Sequence, residues 1–185
     1  KLAEALSEFG ILILTNELLK SPRHQAAAMI GAAKVHERMG QLPTASKLLE
    51  SSLGLLSGTT AGDMSTRASA LRHLAAIGQV QGRLEPAGRF LAEAVRLENA
   101  LGNQPSLLTT MSQMGELCAR LGRNTKAKQL FRESATGLAA LGSTMAIHPL
   151  MRLGYLATTE KDLAGAKKFA AEVEPLVKQS NSPRY

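Results

Sequence analysis

The sequence is poor in aromatic residues and cysteines, and these shortages limit what the chain can be. Aromatic residues make up 3 % of the 185, and there is no tryptophan. Cys118 is the sole cysteine, which excludes an internal disulfide and a multi-cysteine zinc site. The apolar run Ile11–Leu14 is far shorter than the roughly 20 residues of a membrane span. No signal-peptide pattern opens the sequence.

Strand signals are scarce as well. No stretch alternates apolar and polar residues over the length of a strand with hairpin turns at its ends. Apolar residues amount to 44 %, which is enough for an ordered core, and alanine and leucine predominate. The sequence therefore predicts an all-α protein whose core is built from small residues and leucine.

Catalytic and metal-binding patterns are also missing from the sequence. The four histidines are scattered without a His-x3-His spacing, whereas a metal site needs three or four converging ligands. No phosphate-binding loop or nucleophile elbow occurs. Cys118 is interpreted as a core residue, because a reactive thiolate needs an exposed, electropositive site. We predict no catalytic, cofactor-binding or metal residue, and no enzyme.

The net charge of +7 permits an acidic protein, a nucleic acid or an anionic membrane as partner. One basic cluster contains no acidic residue: Arg120, Arg123, Lys126, Lys128 and Arg132. Nucleic-acid binding usually adds aromatic platforms or a reading helix. A solvated surface is the favoured interpretation, with an acidic protein face or an RNA backbone as alternatives.

A short turn signal followed by alanine recurs along the chain. These alanines are Ala45, Ala87, Ala127 and Ala166, and they are separated by 42, 40 and 39 residues. Ala5 lies 40 residues before Ala45, and Ala5-x3-Phe9 repeats the pattern. Such a period indicates helix pairs that stack on one another.

Proline and glycine mark the ends of the predicted helices. Pro43 and Pro86 lie just inside second helices, where the missing N–H costs nothing. Gly102 and Gly142 follow second helices and are predicted to be left-handed terminating residues. Pro149 is predicted to mark entry into the last first helix.

This pattern resembles the tetratricopeptide repeat, W-x2-L-G-x2-Y followed by A-x3-F. The third unit reads Met111-x2-Met114-Gly115-x2-Cys118 and then Ala127-x3-Phe131. Units of about 40 residues are longer than the standard 34 or so, and they are similar to those of kinesin light chains and of the sensor domains of bacterial maltose-type transcription regulators. Other α-solenoids of the HEAT type remain an alternative.

The resemblance implies one right-handed solenoid over residues 1–185. Its parts are a second helix of a partial repeat (1–20) and repeats at 24–57, 64–102, 105–142 and 146–179. In this family the first helices line the concave face. The resemblance therefore implies a partner-binding face of Lys34, Glu37, Arg72, His73, Gln79, Gln113, Glu116, Arg152 and Tyr155, with Ile30 beside them.

The implied function is a non-catalytic scaffold or adaptor that binds a partner protein or peptide within a larger complex. Alternatives are a signal-sensing segment of a bacterial transcription regulator and a structural subunit of an organellar assembly. The chain is expected to be soluble and intracellular, in the cytoplasm or an organelle matrix, and a nucleic acid is a less favoured partner than a protein. Its oligomeric state is left open.

Some relatives bind a C-terminal carboxylate through two cations and two asparagines. The matching positions here are Arg72, Ala76, Gln113, His148 and Arg152. Ala76 cannot replace an amide, and a carboxylate needs well-placed charged donors. Capture of an acidic peptide near Arg72, His73 and Arg152 is the hypothesis we prefer.

Overall fold

Helices account for most of the residues that the structure, a computed structural model, describes: 1–56 and 60–181. Their bounds are α1 Leu2–Leu18, α2 Pro22–Arg38, α3 Leu42–Leu55, α4 Ala61–Val80, α5 Leu84–Ala100, α6 Gln104–Arg120, α7 Asn124–Ala140, α8 Ile147–Thr159 and α9 Leu163–Asn181. No strand occurs in these ranges, and the all-α prediction is confirmed. Ser57, the predicted end of the first repeat, and residues 182–185 of the predicted solenoid lie outside the described residues.

Residues with a left-handed backbone conformation (positive φ) follow several of the helices. Gly102 and Gly142 have φ of +63° and +64°, as predicted. The same conformation occurs in the turns within helix pairs, at Gly40, Gly82 and Gly122. Lys20 (φ +51°) and Lys161 (φ +64°) adopt it without being glycine, which is a costly backbone conformation for a residue with a Cβ atom.

Most prolines of the described residues lie in first turns, where their missing N–H groups are not needed, whereas Pro175 lies inside α9. Pro43 is the second residue of α3, and Pro86 is the third residue of α5. Near Pro149 a 3₁₀ turn, Thr144–Ala146, comes first and α8 begins at Ile147, so Pro149 lies in the first turn of the helix.

The described residues fall into two compact units, Lys1–Gly102 and Asn103–Tyr185. The first unit contains α1 to α5. Its core joins α2, α3 and α4 through small residues and leucine, including Ala33, Ala45, Leu49 and Leu74. A second cluster joins α4 to α5 through Leu71 and Ala94. These residues bury the apolar stripe of each helix against its neighbour.

The second unit contains α6 to α9, and an aromatic ring lies at its centre. Ala127 and Phe131 of α7 pack with Leu153 and Leu156 of α8. The ring of Phe131 fills the space above Gly115 of α6, where an added Cβ atom would lie 2.8 Å from Cε1 of the ring. The A-x3-F pair therefore packs against the small residue of the first helix.

Candidate partner-binding faces

In the first unit, the structure joins Glu37 of α2 to His73 of α4. Their Oε1 and Nδ1 atoms are 3.1 Å apart, and each side chain is about three-quarters buried. The two residues lie on adjacent first helices, as the implied binding face requires. Lys34 is exposed on α2. These three residues can contact a partner that lies across α2 and α4.

The other predicted residues of the first unit are less accessible. Arg72 points toward α5, where its Nε lies 3.5 Å from Oε1 of Glu98, a carboxylate that is only 2 % exposed. Gln79 is 3 % exposed, and Ile30 is part of the core. Gln79 and Ile30 therefore offer little surface to a partner.

In the second unit, Glu116 of α6 forms a charged cluster with α8. It pairs with Arg152 and lies 3.4 Å from Nε2 of His148. The Oγ of Ser112 lies 3.1 Å from Nδ1 of the same imidazole. Burial raises the pKa of Glu116, but the hydrogen bond with His148 and the positive charge of Arg152 outweigh it, and the pKa lies below its usual value.

Two depressions flank this carboxylate. One, of about 410 Å³, is lined by Glu116 with Arg120, Arg152 and Tyr155. The other, of about 500 Å³, is lined by Glu116 with Gln113, His148 and Met151. We call the surface formed by Gln113, Glu116, His148, Met151, Arg152 and Tyr155 the α6–α8 face.

The α6–α8 face presents both apolar and polar groups. Tyr155 is 64 % exposed and Met151 is 60 % exposed, although both are large and partly apolar. The Oε1 of Gln113 is buried without a hydrogen-bond partner in the described part of the chain. Tyrosine and methionine are enriched among the residues of protein interfaces.

The structure brings together only some of the residues that match the carboxylate-binding positions of certain tetratricopeptide proteins. His148 and Arg152 come together, but they converge on the protein's own Glu116. Gln113 lines the same depression as His148, whereas Arg72 is paired with Glu98 in the other unit. The sequence could not show the role of Glu116, because its contacts with His148 and Arg152 depend on the packing of α6 against α8.

The basic cluster is partly neutralised. Lys128 pairs with Glu160 of the turn after α8, and Lys126 donates to Gln129 at 3.2 Å. Cys118 is half-buried against the core of the second unit. Within residues 1–56 and 60–181 no group of histidines, cysteines and carboxylates could hold a metal ion, and no helix there is both long and apolar enough to cross a bilayer.

Comparison with known proteins agrees with this geometry. The tetratricopeptide repeat family model matches residues 66–139. BtubC (BKLC) of P. vanneervenii is similar in structure, with a TM-score of 0.78 and 14 % identity, over 97 % of this chain and 74 % of its own. No curated protein sequence matches.

Two further solved structures share the fold. A Podosopora anserina protein named for kinesin light chain, with nearly identical TPR-like repeats, has a TM-score of 0.68 and 17 % identity, over 98 % of this chain and 89 % of its own. The apo form of RapI has a TM-score of 0.77 and 12 % identity, over 98 % of this chain and 50 % of its own. At such identities the likeness concerns the fold alone.

Proposed function

We propose that this chain, which carries tetratricopeptide repeats, is a non-catalytic scaffold that binds a partner protein or peptide through its first helices. Repeats of this kind generally serve protein–protein interaction rather than catalysis. The observation that carries the proposal is the α6–α8 face, where exposed Tyr155 and Met151 lie beside the Glu116 cluster. Tyrosine, methionine and arginine are enriched in protein interfaces.

The two depressions suggest how a partner segment binds. An extended peptide across α6 and α8 would place one side chain in each depression, on either side of Glu116. A basic or hydroxyl-bearing residue of the peptide would face Glu116. Apolar side chains would cover Met151 and Tyr155. The position of the cluster between the depressions would set the register of the peptide.

In the first unit, the Glu37–His73 pair with Lys34 forms a second, more polar surface on first helices. Its charges suit the rim of an interface, where they contribute to orientation and association rate more than to affinity. The roles of regulator segment and organellar subunit remain predictions from the sequence.

Site-specific photo-crosslinking in cells tests this proposal. A benzoylphenylalanine at position 155 is expected to give a discrete crosslinked product, because Tyr155 lies on the α6–α8 face. The matched control carries the same group in place of Thr136, which is exposed on second helix α7. The product should disappear when Met151 is changed to aspartate. Equal crosslinking from both positions, or none from position 155, would contradict the proposal.

A further inference from the structure

The second unit contains a cleft between its two second helices, α7 and α9. The cleft has a volume of about 810 Å³, and we call it the α7–α9 cleft. Its size is that of a site for a small organic molecule, and such sites are lined mainly by apolar side chains with a few polar groups. The apolar side chains that line it include Ala135 of α7, Leu150 and Leu153 of α8, and Phe169 and Leu176 of α9.

The first unit has a leucine where this cleft has an alanine. Ala135 corresponds to Leu53 of α3, because each lies eight residues after a repeated alanine. Leu53 packs against a buried apolar cluster between α4 and α5. Three other members of that packing keep apolar counterparts, which line the cleft. These pairs are Leu71 and Leu150, Phe90 and Phe169, and Leu97 and Leu176.

A cation is missing from the second unit as well. In the first unit the Nε of Arg67 on α4 donates to Oε1 of Glu93 on α5 at 2.8 Å. Glu172 of α9 corresponds to Glu93 and lines the cleft. The position of Arg67, four residues before the first motif residue of its repeat, is taken by Ala146. Glu172 is exposed and forms no ion pair within residues 1–56 and 60–181.

Three other charged residues line the cleft: Arg132, Asp162 and Lys168. Asp162 is engaged within the protein, because its Oδ1 accepts a hydrogen bond from the backbone N–H of Gly165 at 2.9 Å. Arg132 and Lys168 are both exposed, and they would favour an anionic ligand rather than a cationic one.

The equivalent residues of the first unit favour a cationic ligand. Lys168 corresponds to Arg89 of α5, which lies four residues before Glu93. Arg89 pairs with Glu85, and Glu93 takes its cation from a different helix. A basic residue at this position therefore leaves the glutamate open to a second cation.

We propose that the α7–α9 cleft binds a small organic cation with an apolar body. The apolar body takes the place that the Leu53 side chain has in the first unit. The ammonium or guanidinium group pairs with Glu172, as Arg67 pairs with Glu93. The cleft shares no residue with the α6–α8 face, so this site is separate from the proposed binding of a partner protein.

Methyl NMR of the chain, titrated with 4-phenylbutylamine, tests the proposal. A molecule of this size is expected to bind with a Kd of roughly 1–10 mM. The shifts should be concentrated in the methyl groups of Ala135, Leu150, Leu153 and Leu176, which line the cleft. 4-Phenylbutanol, which has the same apolar body without the charge, should bind about threefold more weakly. 4-Phenylbutanoate should bind no better than the alcohol.

Two variants separate the apolar contact from the charged one. Ala135→Leu restores the leucine of the first unit and should raise the Kd of amine and alcohol at least about tenfold, without lowering the midpoint of thermal unfolding. Glu172→Gln should weaken the amine about threefold, to the level of the alcohol, and leave the alcohol unchanged. The matched controls, Ala170→Leu and Glu174→Gln, lie on α9 beside a different depression and should change each Kd less than about twofold.

Three results would overturn the proposal. The first is an absence of methyl shifts at the cleft with 4-phenylbutylamine up to about 20 mM, twice the weakest expected Kd. The second is a folded Ala135→Leu that binds the amine as the wild type does. The third is 4-phenylbutanoate binding more tightly than the amine, which would assign the cleft to an anion. If Ala135→Leu loses its helical circular dichroism, the comparison of amine and alcohol in Glu172→Gln decides instead.

Discussion

Adding one methyl group at Gly115 is a sensitive test of how first and second helices pack in the second unit. A Cβ atom there would lie 2.8 Å from Cε1 and 2.9 Å from Cδ1 of Phe131. Carbon atoms do not approach so closely, and Phe131 is only 1 % exposed. Gly115→Ala therefore forces either the buried ring or a helix to move.

The free energy of unfolding of Gly115→Ala should fall by about 1 kcal/mol. Overpacking a core by a methyl group costs roughly 1–3 kcal/mol, and the better helix propensity of alanine returns about 1 kcal/mol. The matched variant is Gly154→Ala, at the same motif position of the next first helix. Its Cβ would lie 3.6 Å from Cβ of Phe169, an ordinary contact, so this variant should be more stable by roughly 0.5–1 kcal/mol.

Urea unfolding followed by helical circular dichroism measures both variants. The two alanines should shift stability in opposite directions, and adding Phe131→Leu to Gly115→Ala should recover part of the loss. If Gly115→Ala were as stable as Gly154→Ala, the close contact between Gly115 and Phe131 would be refuted.

Three further predictions concern stability. Lys161→Gly should raise the free energy of unfolding, measured by thermal unfolding, by about 1 kcal/mol, because glycine adopts the left-handed conformation without the steric cost that lysine has. Lys161→Ala should bring no such gain. The stability advantage of wild type over Glu116→Gln should be complete at neutral pH and decline as pH falls through the lowered pKa of Glu116; an advantage independent of pH in urea titrations would contradict this. Arg72→Met should cost about 1–3 kcal/mol more than Arg96→Met in the same assay, because Arg72 faces buried Glu98; equal costs would show that this pair is unimportant.

Much of the fold could be predicted from the sequence, because the repeat depends on local features. The alanine register predicted where second helices pack, and Ala45, Ala87 and Ala127 are fully buried. Gly102 and Gly142 predicted helix ends correctly, since few other residues adopt positive φ without cost. Lys161 lies at the position that glycine occupies in the other turns within helix pairs. Its left-handed conformation is therefore indicated by its position in the repeat rather than by its residue type.

The candidate site was harder to predict. Contacts such as Glu37–His73 and Glu116–Arg152 join residues on different helices, and their formation depends on side-chain directions that the sequence does not contain. Gln79 is polar yet buried, which hydrophobic periodicity cannot reveal. The division of the chain into four repeats in one solenoid remains a prediction.

Ile11, Leu14 and Leu18 of α1 show the opposite problem, since they are apolar yet exposed. Apolar residues at helical spacing are usually interpreted as core, and Ile11 and Leu14 fit that pattern. Only the comparison of exposed fractions in the alanine register separates them from true core residues such as Leu49 and Leu91, which are 0 % exposed. Burial, rather than residue type, identifies the surface.

Hydrogen exchange of the chain, measured alone and with a partner identified by crosslinking, tests the central claim most directly. If first helices bind the partner, side chains of α6 and α8 become covered and the slowing of amide exchange is concentrated in those two helices, around Glu116 and Tyr155. Slower amide exchange confined to second helices α7 and α9, with amide exchange in α6 and α8 unchanged, would contradict the account.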